Sequence, residues 1–112
     1  MTNKERKKLI RLVDLFENIH TILAKNHYNG TTTAKRIIRQ IIDYLTAVLN
    51  DEAEKFDSVI IRIAQKYKSL FIVKAGLSEF YIHHDDYKTR RKSNLEYEKL
   101  KKEIEKILGV KT

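Results

Sequence analysis

At 112 residues, 42% hydrophobic and 34% charged, the chain is expected to form a single globular domain, 1–112, around one core. It has no cysteine, which excludes disulfides and thiolate metal sites and suits a reducing compartment, so the expected location is the cytoplasm. A net charge of +8 favours acidic partners: nucleic acid, an anionic membrane surface touched from outside, or an acidic protein.

Zero prolines and three glycines leave few helix breakers among many good helix formers, so helix is the base expectation. The first helix is predicted from about Asn3 to Asn26. Leu9, Leu12, Phe16, Ile19 and Leu23 recur there in steps of three and four, widened by Val13, Leu15 and Ile22. Arg11, Asp14 and Glu17 interrupt its apolar residues, which excludes a signal-peptide core. The turn His27-Tyr28-Asn29-Gly30 ends it, and one of Thr31 to Thr33 caps the next helix.

The second helix, about Thr33 to Leu49, carries Ile37, Ile38, Ile41, Ile42, Leu45, Val48 and Leu49 on one side. A third is predicted from Asp51 to Leu70. Asp51, Glu52 and Glu54 would sit in its first turn, at the positive end of the dipole, with Phe56, Val59, Ile60, Ile63, Ala64 and Tyr67 facing inward. From Phe71 to Lys92 the periodicity lapses. Ile72-Val73 and Phe80-Tyr81-Ile82 are strand-like in composition, so an irregular connection is expected, with a short helix near Ser78. The last helix runs from Ser93 or Asn94 to Leu108, with Tyr97, Leu100, Ile104 and Ile107 inward and Gly109 at its end. The predicted fold class is all-α: an antiparallel four-helix bundle with an irregular segment before the last helix. No apolar run approaches the roughly 18 residues of a membrane span.

The chemistry-bearing residues argue against catalysis. Adjacent residues in the run His83-His84-Asp85-Asp86 rarely converge on one ion, and His20 and His27 lie far off in sequence. Ser58, Ser69, Ser78 and Ser93 sit in no glycine-flanked elbow, and Gly30, Gly76 and Gly109 are too dispersed for a phosphate loop. The expectation is a non-enzyme with no cofactor and no metal.

Two surface readings remain. Basic clusters at Lys4-Arg6-Lys7-Lys8-Arg11, at Lys35-Arg36-Arg39 and at Lys88-Arg90-Arg91-Lys92 could build one phosphate-binding face, with Lys35, Arg36 and Arg39 as the nucleic-acid candidates. Interspersed acids and a joint too long for a helix-turn-helix speak for ordinary solvated helix faces instead. The apolar stretch Leu70 to Ile82 reads first as a cover over the core and second as an anchor patch. Beside it, Phe80, Tyr81, His83, His84, Asp85, Asp86, Tyr87, Arg90 and Arg91 are the candidate partner-binding residues.

In size, in its charged amphipathic helices, in its basic balance and in the turn Gly76-Leu77-Ser78-Glu79-Phe80-Tyr81-Ile82 before a last helix with Asn94, Leu95 and Leu100, the chain resembles the small helical immunity proteins of Gram-positive bacteria. The resemblance implies stoichiometric binding of a protein, namely a toxin, a bacteriocin or its receptor complex, by the 71–92 segment and the final helix. The reading from a different class is a small basic phage or mobile-element regulator that binds DNA or RNA.

Overall fold

The three-and-four spacing of apolar residues becomes four helices in chain order: α1 (Asn3–Lys25), α2 (Thr32–Asn50), α3 (Phe56–Ser69) and α4 (Tyr87–Leu108). The computed structural model describes residues 1–25, 31–72, 77 and 80–110, and among these there is no strand. Helix α1 packs along α2 and α4, and α3 packs along the same two, so α2 and α4 lie on one diagonal of a square bundle. Directions follow from cross-links between helix ends. Arg6, near the start of α1, donates to the Leu49 carbonyl at the end of α2 at 2.9 Å. Arg11 grips Glu103 near the end of α4. The Tyr67 hydroxyl, late in α3, donates to Glu105 at 2.6 Å, while Lys101 lies over the Phe71 ring at 4.9 Å, so α3 also runs opposite to α4. The result is an antiparallel four-helix bundle measuring 47 × 26 × 23 Å.

The buried faces are those that the periodicity selects. Leu9, Leu12, Leu15, Phe16, Ile19 and Leu23 of α1 meet Ala34, Ile38, Ile41, Ile42, Leu45 and Val48 of α2. Val59, Ile63 and Tyr67 of α3 and Ile104 and Leu108 of α4 close the core. Tyr67 lies at its centre, its ring set edge-on to Phe16 and to Phe71 at 6.2 and 5.0 Å.

Helix α3 is too short for its place. Its 14 residues stand against 19 in α2 and 22 in α4, the helices it packs along. At ~1.5 Å per residue it is about 8 to 12 Å shorter than they are. The chain beyond it fills the missing part of the wall: Leu70, Leu77 and Ile82 are buried, and Phe71 and Phe80 pack half-buried against the core. Covering the core is thus what most of the described apolar residues of this stretch do.

Two boundaries differ from the sequence reading. The third helix begins at Phe56, not Asp51, because residues 51–55 form a connection in which Glu52 and Glu54 are engaged elsewhere. The Glu52 carboxylate meets Arg6 at 2.7 Å, and Glu54 accepts from the Tyr44 hydroxyl at 2.7 Å and pairs with Arg62 at 3.6 Å. Partial burial and the Glu54 charge push the Tyr44 hydroxyl up to about 12. Only Asp57 lies in the first turn of α3. The last helix begins at Tyr87, not Ser93 or Asn94, because Asp86 is its N-cap. Thr31 occupies the N-cap position of α2, and Gly109 closes α4 in the left-handed conformation at φ 70°. The turn at His27 to Gly30 and the short helix near Ser78 fall outside the described residues.

A fully buried aromatic and an exposed aliphatic test this division of faces. Phe16→Ala should cost about 3–5 kcal/mol in urea unfolding. Ile61→Ala, at a side chain 60% exposed, should change stability by less than about 0.5 kcal/mol. Equal losses at the two positions would contradict the assignment.

Candidate functional site

The site grows out of the segment that completes the α3 wall. Phe80, Tyr81 and Ile82 alternate inward, outward and inward, as an extended chain dictates. Phe80 sets its ring edge-on to Tyr97 at 5.1 Å, Tyr81 is exposed and Ile82 is buried. An extended backbone next to a helix has no ladder to join, and Asn94 of α4 supplies the missing partner. Its Oδ1 accepts from the Ile82 N–H at 2.9 Å, and its Nδ2 donates to the Ile82 carbonyl at 2.9 Å and to the Arg90 carbonyl at 2.9 Å. One side-chain amide thereby does what a neighbouring strand would do.

Four residues on from Ile82, Asp86 starts α4. Its Oδ2 accepts from the Thr89 backbone N–H at 3.0 Å and from the Thr89 hydroxyl, while its own N–H donates to His84 Nδ1 at 3.0 Å. The two hydrogen bonds from Thr89 hold the Asp86 carboxyl below the usual carboxylate range.

This anchored start of α4 displays an apolar recess. Tyr81, Tyr87 and Leu95 are exposed by 46%, 61% and 55%, and with Arg91, Asn94 and Glu98 they line an open hollow of about 250 Å³. Tyr87, Arg91 and Leu95 are spaced four residues apart on one stripe of the helix, with Tyr81 alongside from residues 80–82, the strap that Asn94 holds against α4. The Arg90 guanidinium lies 5.4 Å from the Tyr87 ring centroid, and Tyr81 meets His83 edge-on at 5.4 Å.

Among the described residues, four arginines elsewhere in the chain are held in ion pairs, while other cations, Lys35 and Arg36 for instance, are not. Arg6, Arg11, Arg39 and Arg62 hold Glu52, Asp14 with Glu103, Glu17 and Glu54 respectively. Lys88, Arg91 and Lys92 have no carboxylate partner among the described residues. They stand in the first two turns of α4, where the macrodipole is already positive.

The candidate residues therefore separate. Tyr81, Tyr87 and Arg91 meet in the recess, with Arg90 stacked behind Tyr87, while Phe80 turns inward. His83 and His84 lie on the other side of the strap, lining a second hollow of about 220 Å³ with Ile22, Lys25, Ile82, Ser93 and Glu96. Asp85 is exposed and Asp86 is used as the cap. Among the described residues no three His, Asp or Glu side chains are grouped as metal ligands. Lys35, Arg36 and Arg39 stand in the first turns of α2, at the same end of the bundle as Lys88 to Lys92 but on the diagonal helix. The cluster Lys4 to Arg11 lies at the opposite end, with Arg6 and Arg11 in ion pairs and Lys8 over the Phe56 ring at 5.9 Å. The three clusters do not form one face.

Asn94, Leu95 and Glu98 belong to the site but not to the candidates read from sequence. Leu95 left a signal, because it is a large apolar residue off the Tyr97, Leu100, Ile104, Ile107 stripe. Asn94 left none, because its residue type at the expected start of the last helix reads as a cap. No family model, curated protein or solved structure matches the chain.

Replacing the Asn94 amide should detach the strap. Asn94→Ala is expected to cost about 2 kcal/mol and to open the chain between Leu77 and Asp86 to limited proteolysis. Asn94→Asp should not restore protection, since it lacks the donor that Ile82 and Arg90 require. The cap is tested by acid. A carboxyl depressed in the folded state stabilises above its unfolded value of roughly pH 4 and loses that contribution as pH falls through the folded value. Asp86→Asn keeps a capping oxygen without titrating, so between about pH 5 and about pH 3 it should lose less stability than the parent chain. Parallel acid profiles would remove Asp86 from this role.

Proposed function

We propose that the chain acts by stoichiometric binding of a protein: it is an immunity-type or inhibitory protein that neutralises a bacterial toxin or bacteriocin, directly or at its receptor complex, from the cytoplasmic side. The observation that carries this reading is the recess of Tyr81, Tyr87, Leu95 and Arg91. Tyrosine and arginine around a hollow are the residue types that dominate binding energy at protein interfaces. Their supports are held in place before any partner arrives, Ile82 by Asn94 and the helix start by Asp86, so little ordering entropy opposes association. The antiparallel bundle is also the architecture on which the resemblance to helical immunity proteins rests.

The alternative, a basic regulator acting on DNA or RNA through Lys35, Arg36 and Arg39, draws less support. Glu17 holds Arg39 at 3.5 Å, and the basic cluster of α1 sits at the far end of the bundle. No helix of the described residues is long and apolar enough to cross a membrane, so contact with a membrane-bound receptor complex would be made from the surface.

Affinity capture of the tagged chain from its native host at moderate salt, with nuclease, tests the proposal. The expected outcome is one stoichiometric protein that survives nuclease, is lost from Tyr81→Ala/Tyr87→Ala, and is kept by Lys35→Ala/Arg36→Ala. Each tyrosine truncation should weaken the purified complex roughly thirty-fold, about 2 kcal/mol. Recovery of nucleic acid alone, removed by nuclease, would sink the proposal.

A further inference from the structure

One stripe of α4 carries Tyr87, Arg91, Leu95, Glu98 and Lys102, each exposed and each three or four residues from the next. The charges along it are ordered about Leu95. Arg91 stands one turn before it and Glu98 one turn after, and both line the hollow with Tyr81, Tyr87 and Asn94. The surroundings are balanced. Residues 83–98 hold Lys88, Arg90, Arg91 and Lys92 against Asp85, Asp86, Glu96 and Glu98, whereas the chain as a whole carries +8. Two copies of so basic a chain repel each other, and they do so least where the local charge is zero and exposed apolar surface is present.

We infer that this face pairs with the same face of a second copy of the chain, the two α4 helices lying antiparallel across a two-fold axis beside Leu95. A two-fold interface must be self-complementary, because wherever residue i meets j, j also meets i. The stripe meets that condition in one direction only. With the axis midway between Asn94 and Leu95, Arg91 lies opposite Glu98 of the second copy and Glu98 opposite its Arg91. Leu95 then lies against its twin, and Tyr87 receives Lys102 of the second copy over its ring. A parallel pairing would set Arg91 against Arg91 and Glu98 against Glu98. The apolar surface of Tyr81, Tyr87 and Leu95 drives association, and the charges set direction and register. The existing pair of Glu98 with Lys101 competes little, being exposed and 3.7 Å long. The inference goes beyond the proposed binding role: it concerns the free chain, and a partner protein using Tyr81 and Tyr87 would have to displace the second copy.

Sedimentation equilibrium of the purified full chain, from about 5 µM to about 1 mM at about 0.15 M salt, tests this. The expected result is a reversible monomer–dimer equilibrium with no larger species, since a two-fold interface closes at two copies. Arg91→Glu and Glu98→Arg should each weaken the dimer at least about ten-fold, because each turns two attractions into two repulsions. An equal mixture of the two variants, or the doubly exchanged chain Arg91→Glu/Glu98→Arg, should recover it, which a damaged fold would not do. Tyr81→Ala/Tyr87→Ala should weaken it at least about ten-fold. Ile61→Ala, at an exposed apolar side chain of α3, should leave it unchanged, and circular dichroism should show every variant equally helical. A chain that stays monomeric at the highest concentration, a dimer indifferent to the single exchanges, or a loss that the double exchange does not recover would overturn the inference. The host capture reads the binding role separately. A different protein captured through Tyr81 and Tyr87 by a chain that is monomeric refutes the dimer alone and gives this face to that partner, whereas an intact dimer with no captured protein refutes the binding role alone.

Discussion

Much of this protein's character follows from the length of α3. A four-helix bundle buries its core only if each of its four walls runs the full length, and α3, with 14 residues, does not. The remaining apolar surface of α1 and α4 must still be removed from water, at about 25 cal/mol for each Å² buried. Residues 70–82 do this with Leu70, Phe71, Leu77, Phe80 and Ile82. The described residues of this cover beyond Leu70 are not helical, and bring backbone groups close to the core without a helix to satisfy them. That need explains the Asn94 amide on both the N–H and the carbonyl of Ile82. The exposed Tyr81 follows from the same geometry, since burying Phe80 and Ile82 in an extended chain turns the residue between them outward.

The distribution of acids completes the division of labour. At the end of the bundle where α1 starts and α2 ends, Glu52, Glu54 and Glu103 cross-link neighbouring elements through Arg6, Tyr44, Arg62 and Arg11. Such exposed pairs add little stability each, but they fix the register of one helix against the next. At the start of α4 the only acid drawn into structure is the cap, Asp86, and Lys88, Arg91 and Lys92 are left facing solvent. A helix start that carries cations forgoes a favourable interaction with its own dipole. What sets this face apart is the exposed Tyr81, Tyr87 and Leu95 gathered round one hollow.

The inward residues of all four helices were legible as sequence because helical burial is a local property. A residue's face follows from its spacing to neighbours three and four positions away, and Leu9 to Leu23, Ala34 to Val48 and Val59 to Tyr67 obey that rule. The starts of α3 and α4 were not. Asp51, Glu52 and Glu54 have the composition of a helix first turn, but the Glu52 and Glu54 carboxylates are claimed by Arg6, Tyr44 and Arg62, two of which lie on other helices. Ser93 and Asn94 have the composition of a cap, yet Asp86 lies seven and eight residues ahead of them with Thr89 in place to donate to it. In the candidate site, Tyr81, Tyr87 and Arg91 were visible by residue type, while Leu95 and Asn94 needed the strap beside α4 before their roles had meaning.

Local periodicity and composition, then, determined by themselves that the chain is all-α, which faces of its helices are apolar, and that it is strongly basic. Only the tertiary structure decided that the strand-like residues 80–82 pair with a helix side chain, that the basic clusters stand apart at opposite ends and on diagonal helices, and that Tyr81, Tyr87, Arg91 and Leu95 surround one hollow. The physical reason is that amphipathicity is written within a single turn or two of chain. Which lengths match, which carboxylate meets which arginine and which backbone lacks a partner are settled only when elements distant in sequence pack together.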